Sequence, residues 1–357
     1  MIVFKQQTRS HYLFSMLSSK RSSTRLVSYL ATAAIFAGAF AAMPARSLPL
    51  ASINVIQPMS VDSPDDPDDD APAAISHGKI RKEAWGEELR VDIATPRVRP
   101  FKDKELGRQV LVILPVGYDA PENALQRYPV LYLLHGSPGR PSNFVSIGHW
   151  PSLLSDLTKR AATQAAILVI PDGNASGVHY GDSEWANSAD GRDKFEDYVV
   201  KDVVPWADAN LRTAPDAAHR ILGGVSEGGY GAVNVAMHNP TVFGGVMALS
   251  GYYRNDGSGW ARPIMGHDPA FLRRNSPLDY ISTSPGEKQD ASAWKGIHFF
   301  LGAGADEKEY VDETRAMAAR MKDAGLTVDL KVDSGKHGWG LWNQLFTSAV
   351  PLLLPAK

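Results

Sequence analysis

The chain of 357 residues contains no cysteine. A disulfide framework, thiolate catalysis, cysteine-ligated zinc and a lipid anchor on cysteine are therefore excluded. It also lacks an H-E-x-x-H sequence and any clustered set of metal ligands, so neither a metal nor an organic cofactor is expected. Basic surface is scarce outside the first segment. Lys5, Arg9, Lys20, Arg21, Arg25 and Arg46 are the only charged residues in 1–46, and setting those six of 37 Lys/Arg aside leaves 31 bases against 39 acids. A balance of −8 offers no basic stripe on which phosphates could release counterions, so a nucleic-acid partner is not expected.

Long apolar runs are likewise rare, with one exception. Leu26 to Ala45, "LVSYLATAAIFAGAFAAMPA", is 20 residues without a charge. As a helix it would span about 30 Å, the thickness of a bilayer core. The basic residues before it place its leading end in the cytoplasm, so the rest of the chain is expected to be exported to the periplasm or beyond. Residues 1–25 then form a basic leader, and 26–47 a signal-peptide core cleaved near Ala42–Ser47 or a retained membrane anchor. A reporter fused after Lys357 that works only in the cytoplasm would contradict export. Residues 48–76 read as an acidic linker, because "QPMSVDSPDDPDDDAPAAIS" (57–76) has too few large apolar side chains to offset its ordering entropy. Its six aspartates, Asp62, Asp65, Asp66, Asp68, Asp69 and Asp70, lack the glycine and terminal glutamate of an EF-hand loop and read as a solvated spacer.

From His77 to Lys357 the pattern is that of one α/β domain. Residues 79–85 and 108–115 read as leading strands, and the apolar runs 128–136 and 165–173 as strands buried on both faces of a mostly parallel sheet. Helical stretches at 150–162, 194–211 and 310–325 alternate with strands at 244–251, 297–304 and 326–335. Such alternation implies right-handed crossovers and one doubly wound sheet with helices on both faces.

The chemistry concentrates in "HRILGGVSEGGYGAVNVAMHNP", residues 219–240, where five glycines flank a single serine. The expected reading is a strand ending near Leu222, a tight turn, and a helix from about Tyr230. Gly224, Ser226 and Gly228 form G-x-S-x-G in the strand–turn–helix setting of a nucleophile elbow, which holds the serine in a strained conformation and needs small neighbours. A serine nucleophile needs a base, and the base an orienting acid; in this fold they follow in the order Ser, Asp/Glu, His. His337, in the Gly-flanked loop after the last strand, suits the base. His135, by contrast, reads as a side chain that holds its own loop. At the carboxyl end of strand 297–304 stand Asp306 and Glu307; Asp306 is the favoured acid, and Glu307 the alternative, one of the two being free to cap the following helix. An oxyanion hole would draw on the backbone N–H of Glu227 and, from the loop after 128–136, that of Ser137, since Pro138 has none. Trp150, Tyr180, Trp185, Tyr252, Tyr253, Trp260 and Trp339 fall in loops at the same end, where they would either line an apolar acyl or aryl pocket or pack beneath the loops.

Together, "LLHGSPG", "VIPDGN", "VVKDVVPWADANLRT", "GGVSEGGYGA", "FGGVMALSG" and "KHGWGLW", spread between Arg108 and Trp342, resemble the putative-esterase family of α/β-hydrolases. That family takes in antigen 85 mycolyltransferases, feruloyl esterases and S-formylglutathione hydrolase. The resemblance implies Ser226 as nucleophile, His337 as base and an acid at Asp306 or Glu307. It also implies a small-molecule, lipid or carbohydrate ester as substrate. Ester hydrolysis through an acyl-enzyme, acyl transfer to a sugar or lipid hydroxyl, and ligand binding on an inactive hydrolase scaffold remain the three alternatives. Export argues against glutathione thioester chemistry, which is cytosolic.

Overall fold

Continuous apolar runs place side chains on both faces of a sheet, so each face must be covered. The computed structural model describes residues 74–75, 81–100, 107–176, 181–281 and 291–357, and both faces are covered there. The leader, the apolar run 26–45 and the six aspartates lie outside the described residues. Among the described residues no helix is long and apolar enough to cross a membrane.

The strands are β1 (Ala74–Ile75), β2 (Arg81–Glu83), β3 (Gly86–Ala94), β4 (Gly107–Pro115), β5 (Val130–Leu134), β6 (Ile167–Pro171), β7 (Arg220–Val225), β8 (Gly245–Leu249), β9 (His298–Gly304) and β10 (Thr327–Asp333). They form one sheet in the order β1-β3-β4-β6-β5-β7-β8-β9-β10, with β2 also on β3. Pairings from β6 to β10 are parallel, and those of β1, β2 and β4 are antiparallel. This is the mostly parallel sheet with helices on both faces that the sequence pattern implies. β1 moves one boundary: Ala74 and Ile75 pair with Ile93 and Asp92, so the sheet begins inside the segment read as linker to residue 76.

Alternation within β5 shows how the core divides. Val130, Tyr132 and Leu134 belong to one apolar cluster, and Leu131 and Leu133 to the other, all nearly inaccessible. The helices that matter here are α1 (Trp150–Lys159), α2 (Phe195–Asp197, a π-helical turn at Tyr198–Val203, then Val204–Asn210), α3 (Glu227–His238), α4 (Lys308–Asp323) and α5 (Trp339–Leu353). α3 with α4 and α5 with α1 cover opposite faces, as the split of Ala232, Val235 and Met317 from Leu154, Leu345 and Phe346 shows.

The glycine-rich stretch departs from expectation in an informative way. β7 continues to Val225 and α3 starts at Glu227, so the turn is one residue, Ser226 itself. None of Gly223, Gly224, Gly228, Gly229 and Gly231 has a positive φ. They are needed for space. A Cβ on Gly228 would run into the Leu134 carbonyl, one on Gly224 into the Gly228 carbonyl, and one on Gly231 would come within 2.6 Å of Trp185 Cβ. Close approach of α3 to β5 and β7 overrides the poor helix propensity that had pushed the expected helix start to Tyr230.

Candidate active site

β5 has β6 on one side and β7 on the other, so chain connections diverge there and leave a crevice at the strands' carboxyl ends. Ser226 follows β7, the 135–139 loop follows β5, Glu307 follows β9 and His337 follows β10. Four segments far apart in sequence therefore converge on one edge of the sheet.

Ser226 adopts φ 57° and ψ −121°, a strained conformation for a residue with a side chain. Its N–H donates to the Leu249 carbonyl (2.9 Å), and its carbonyl accepts from Gly229 and Tyr230 N–H groups, so both sides of the strained residue are tied down. The Ser226 hydroxyl donates to His337 Nε2 at 2.9 Å, and His337 Nδ1–H donates to Glu307 Oε1 at 2.6 Å. Glu307 is fixed from its other oxygen. Oε2 accepts from Gly304 N–H (2.5 Å) and from the Ser250 hydroxyl (2.8 Å), and Ser250 in turn accepts from Trp342 Nε1–H (3.0 Å). Burial alone would raise the Glu307 pKa, but the bonds from His337, Gly304 and Ser250 outweigh it and leave the carboxyl below its ordinary value. It is held as a carboxylate.

The acid position is thus Glu307, which corrects the preference for Asp306. After Gly304 the chain turns, with Glu307 N–H closing onto the Gly304 carbonyl, and Ala305 and Asp306 point to solvent at the turn's outside. Glu307, 5% exposed, folds inward. Asp306 contributes its backbone N–H, which donates to the Gly335 carbonyl and ties the turn to the loop carrying His337.

Of the two residues expected to supply oxyanion N–H groups, Glu227 is the first residue of α3, where N–H groups have no partner inside the helix and the helix dipole is positive. Ser137 lies in the segment against the nucleophile. A Cβ on its neighbour Gly136 would stand 3.0 Å from Ser226 Cβ and 3.6 Å from Oγ. His135 holds this loop: its Nε2 accepts from Gly173 N–H (3.0 Å) and Nδ1 lies 3.0 Å from the Gly136 carbonyl. Asp172 stands 3.5 Å from the same Nε2, too far to displace the Gly173 bond.

The loop aromatics divide. Trp150, Trp185 and Tyr253 are fully buried and pack beneath the loops, whereas Trp339 and Tyr252 are partly exposed at the site's end of the sheet. Tyr180 and the Trp260 side chain lie outside the described residues. Tyr310 escaped the sequence reading. Its ring packs on His337 with centroids 4.4 Å apart, while Trp342 meets His337 edge-on at 5.0 Å.

A group of buried carboxylates beside the elbow was also not foreseen. Asp182, Glu184 and Glu227 are each at most 6% exposed. Glu227 Oε1 accepts from Ser183 N–H (3.1 Å), and Glu184 Oε2 from the Tyr252 hydroxyl (2.7 Å). Glu184 and Trp185 both have positive φ, 53° and 49°, so this loop is strained where it wedges Trp185 under α3. Burial raises all three carboxyls: Asp182 to about 6, Glu184 well above the ordinary carboxyl range with Asp182 adding to it, and Glu227 likewise with Asp182 and Glu184 adding to it. Among the described residues, no group of three or more His, Cys, Asp or Glu is arranged to hold a metal ion.

A carboxyl whose pKa is raised on folding stabilises the fold below its unfolded pKa, and loses that contribution as pH rises through the folded value. The cluster therefore weakens the domain from about pH 4 upward, past pH 6 for Asp182. Glu184→Gln, which keeps an acceptor for Tyr252, is expected to raise the melting temperature at pH 8 by about 2–4 °C, the shift that roughly 1 kcal/mol produces in a domain of this size. At pH 5 the change should be smaller. Thermal melts at both values test this, and an equal loss of stability at both would refute it.

A family model described as "Putative esterase" matches residues 105–353. An esterase of Mycobacterium tuberculosis is 34% identical over 127 residues, which is 36% of this chain and 25% of its own. The chain thus aligns with about a quarter of that relative's length. An acetyl esterase of Caldicellulosiruptor saccharolyticus is 24% identical over 260 residues, covering 67% of this chain and 90% of its own. Among solved structures, a ferulic acid esterase superposes with a TM-score of 0.64 at 21% identity, over 75% of this chain and 96% of its own. An S-formylglutathione hydrolase from Agrobacterium tumefaciens does so with 0.61 at 16% identity, over 78% and 98%. These likenesses establish the α/β-hydrolase fold.

Proposed function

The chain belongs to the putative-esterase family, and from that premise we propose that it is a serine carboxylesterase acting on a small-molecule ester through an acyl-enzyme on Ser226. The observation that carries this reading is the unbroken chain of bonds from Ser226 Oγ to His337 to the ionised Glu307.

His337 Nε2 takes the Ser226 proton as Oγ attacks the acyl carbon. Charge moves onto the former carbonyl oxygen, for which the Glu227 N–H at the start of α3 and the Ser137 N–H are the candidate donors. The imidazolium that forms keeps its Nδ1–H on Glu307, whose buried carboxylate stabilises it. It then returns its proton to the departing alcohol. Water repeats the cycle on the acyl-enzyme, and His337 acts first as base and then as acid.

The relatives' names include acetyl and ferulic acid esterases, which suggests a short or aryl acyl group, with the partly exposed Trp339 and Tyr252 as candidate walls for it. A screen of the purified protein with acyl and aryl esters of graded length, with and without alcohol acceptors, tests the reading. Hydrolysis is expected with little diversion of the acyl group to the alcohol. Quantitative transfer to an added sugar or lipid hydroxyl would make it an acyltransferase, and no turnover of any ester would overturn the proposal. Export remains part of the reading and rests on the basic leader and the 20-residue apolar run.

A further inference from the structure

An open cavity of about 980 Å³ lies at the end of α3 that carries His238. Helical rise alone puts His238 about 18 Å from Ser226, so this space is separate from the catalytic centre. Phe271, Tyr280, Trp294 and Met237 line it, together with the exposed Arg273 and Arg274.

Most polar groups facing the cavity are already engaged within the protein. His238 Nδ1 stands 2.9 Å from Glu196 Oε2, and Nε2 stands 2.9 Å from the Arg274 carbonyl. A carboxylate and a carbonyl only accept, so the ring donates at both nitrogens and is positively charged. Burial opposes that charge, but the bonds to Glu196 and the Arg274 carbonyl outweigh it and raise the His238 pKa. Glu196 Oε1 accepts from Asn239 Nδ2–H (3.0 Å). Both ends of the Asn187 amide are bonded to Asp197, and those of Asn275 to Asn234 and the Phe271 carbonyl. The Trp294 indole N–H donates to the Met237 carbonyl and the Tyr280 hydroxyl to Asn234.

The guanidinium groups of Arg273 and Arg274 are different. Among the described residues neither pairs with a carboxylate: Asp279 is taken by Arg254, and Asp268 accepts from Ala270 N–H at the start of the short helix Pro269–Arg274. Arg274 Cζ lies 5.0 Å from the centre of the Phe271 ring, so its charge sits beside an apolar wall. His238, Arg273 and Arg274 face Glu196 as the one carboxylate of the lining. The cavity is therefore positive in a domain whose balance is acidic.

We propose that this cavity is a second binding site that takes an aromatic carboxylate, with its ring against Phe271, Tyr280 and Trp294 and its charge on Arg273 and Arg274. The ring walls suit a flat apolar body. Guanidinium forks match a carboxylate through paired hydrogen bonds. A sugar would fit the rings but leave its hydroxyls unmet, because the amides, imidazole and indole are already bonded. This site does not depend on the esterase reading.

The test is calorimetric titration of the full chain with cinnamate, after a long-chain fluorophosphonate on Ser226 has filled the catalytic crevice. One equivalent is expected to bind per chain. Cinnamamide, which keeps the ring and loses the charge, should bind at least about tenfold more weakly, and so should cinnamate to the double variant Arg273→Gln/Arg274→Gln. That variant should fold, since both side chains are exposed and the group Arg274 offers His238 is its backbone carbonyl; a thermal melt checks it. Should it not fold, the comparison of acid and amide on the wild type decides alone. No binding of cinnamate, equal binding of the amide, or unchanged binding by the folded double variant would overturn the proposal. Tighter binding of 3-cyclohexylpropanoate, which has the same head without a flat ring, would overturn the aromatic assignment. If the fluorophosphonate labels nothing, the esterase reading fails by itself, and titration of the unlabelled wild type against the double variant still decides this site.

Discussion

Replacing Ser226 by alanine is expected to lower kcat by on the order of 10⁴–10⁶ on any ester the wild type turns over. The loss is large because the remaining groups have nothing to activate. His337→Ala should cost about as much, since an unassisted serine hydroxyl is protonated and weakly nucleophilic at neutral pH. The double variant should be about as slow as either single one, because members of such a unit act together and their losses do not add. Additive losses would mean that Ser226 and His337 act independently, and the 2.9 Å bond between them would then be incidental. The fold should persist in Ser226→Ala. Alanine is slightly strained at φ 57°, as serine already is, and the backbone bonds from Leu249, Gly229 and Tyr230 that hold the elbow do not involve the hydroxyl.

The second large effect separates two adjacent carboxylates. Glu307→Gln is expected to lower kcat by on the order of 10⁴, the scale on which a neutral amide in place of the triad acid fails to hold the productive imidazole tautomer. Asp306→Asn should stay within about twofold of wild type, as expected of an exposed side chain whose contribution to the turn is its backbone N–H. Steady-state kinetics of the two variants decide the matter. A large loss at Asp306 with little at Glu307 would return the acid role to Asp306. Glu307→Gln should also lose stability, because its Oε2 is the shared acceptor of Gly304 N–H and the Ser250 hydroxyl and one of the two oxygens becomes a donor.

The contrast between these two residues shows where the sequence stops being readable. Ser226 stood out because the elbow is a local device: a strand, a single strained residue, a helix and small neighbours, all within a dozen positions. His337 stood out because it follows the last strand between glycines. Choosing between Asp306 and Glu307 depends on which way a turn of three residues rotates after Gly304, and that is set by contacts with Ser250 and with the 335–338 loop, far away in the chain. The same limit applies to the carboxylates. Asp182 and Glu184 lie more than 40 positions before Glu227, and only the wedging of Trp185 under α3 brings their loop to the elbow. Tyr310 reads as an ordinary polar–aromatic position near a helix start until the ring is seen on His337. The glycines teach the converse. They were visible at once, but their reason is the crowding of α3 against β5 and β7 and not backbone freedom, since none of them takes a positive φ.

The sheet was the most legible part, because strands buried on both faces must be apolar throughout, as β5 and β6 are. β1 was not, since a two-residue strand carries no period and its pairing with Ile93 and Asp92 is a property of β3.

Intact-mass measurement after exposure to a fluorophosphonate, followed by localisation of the adduct, tests the central claim most directly. The probe reports a serine made nucleophilic by its neighbours and does not require knowledge of the ester. The expected result is one adduct per chain on Ser226 of the wild type, none on Ser226→Ala, and markedly slower labelling of Glu307→Gln than of Asp306→Asn. An adduct on another residue, or equal labelling of wild type and Ser226→Ala, would contradict the assignment of Ser226, His337 and Glu307 as one catalytic unit.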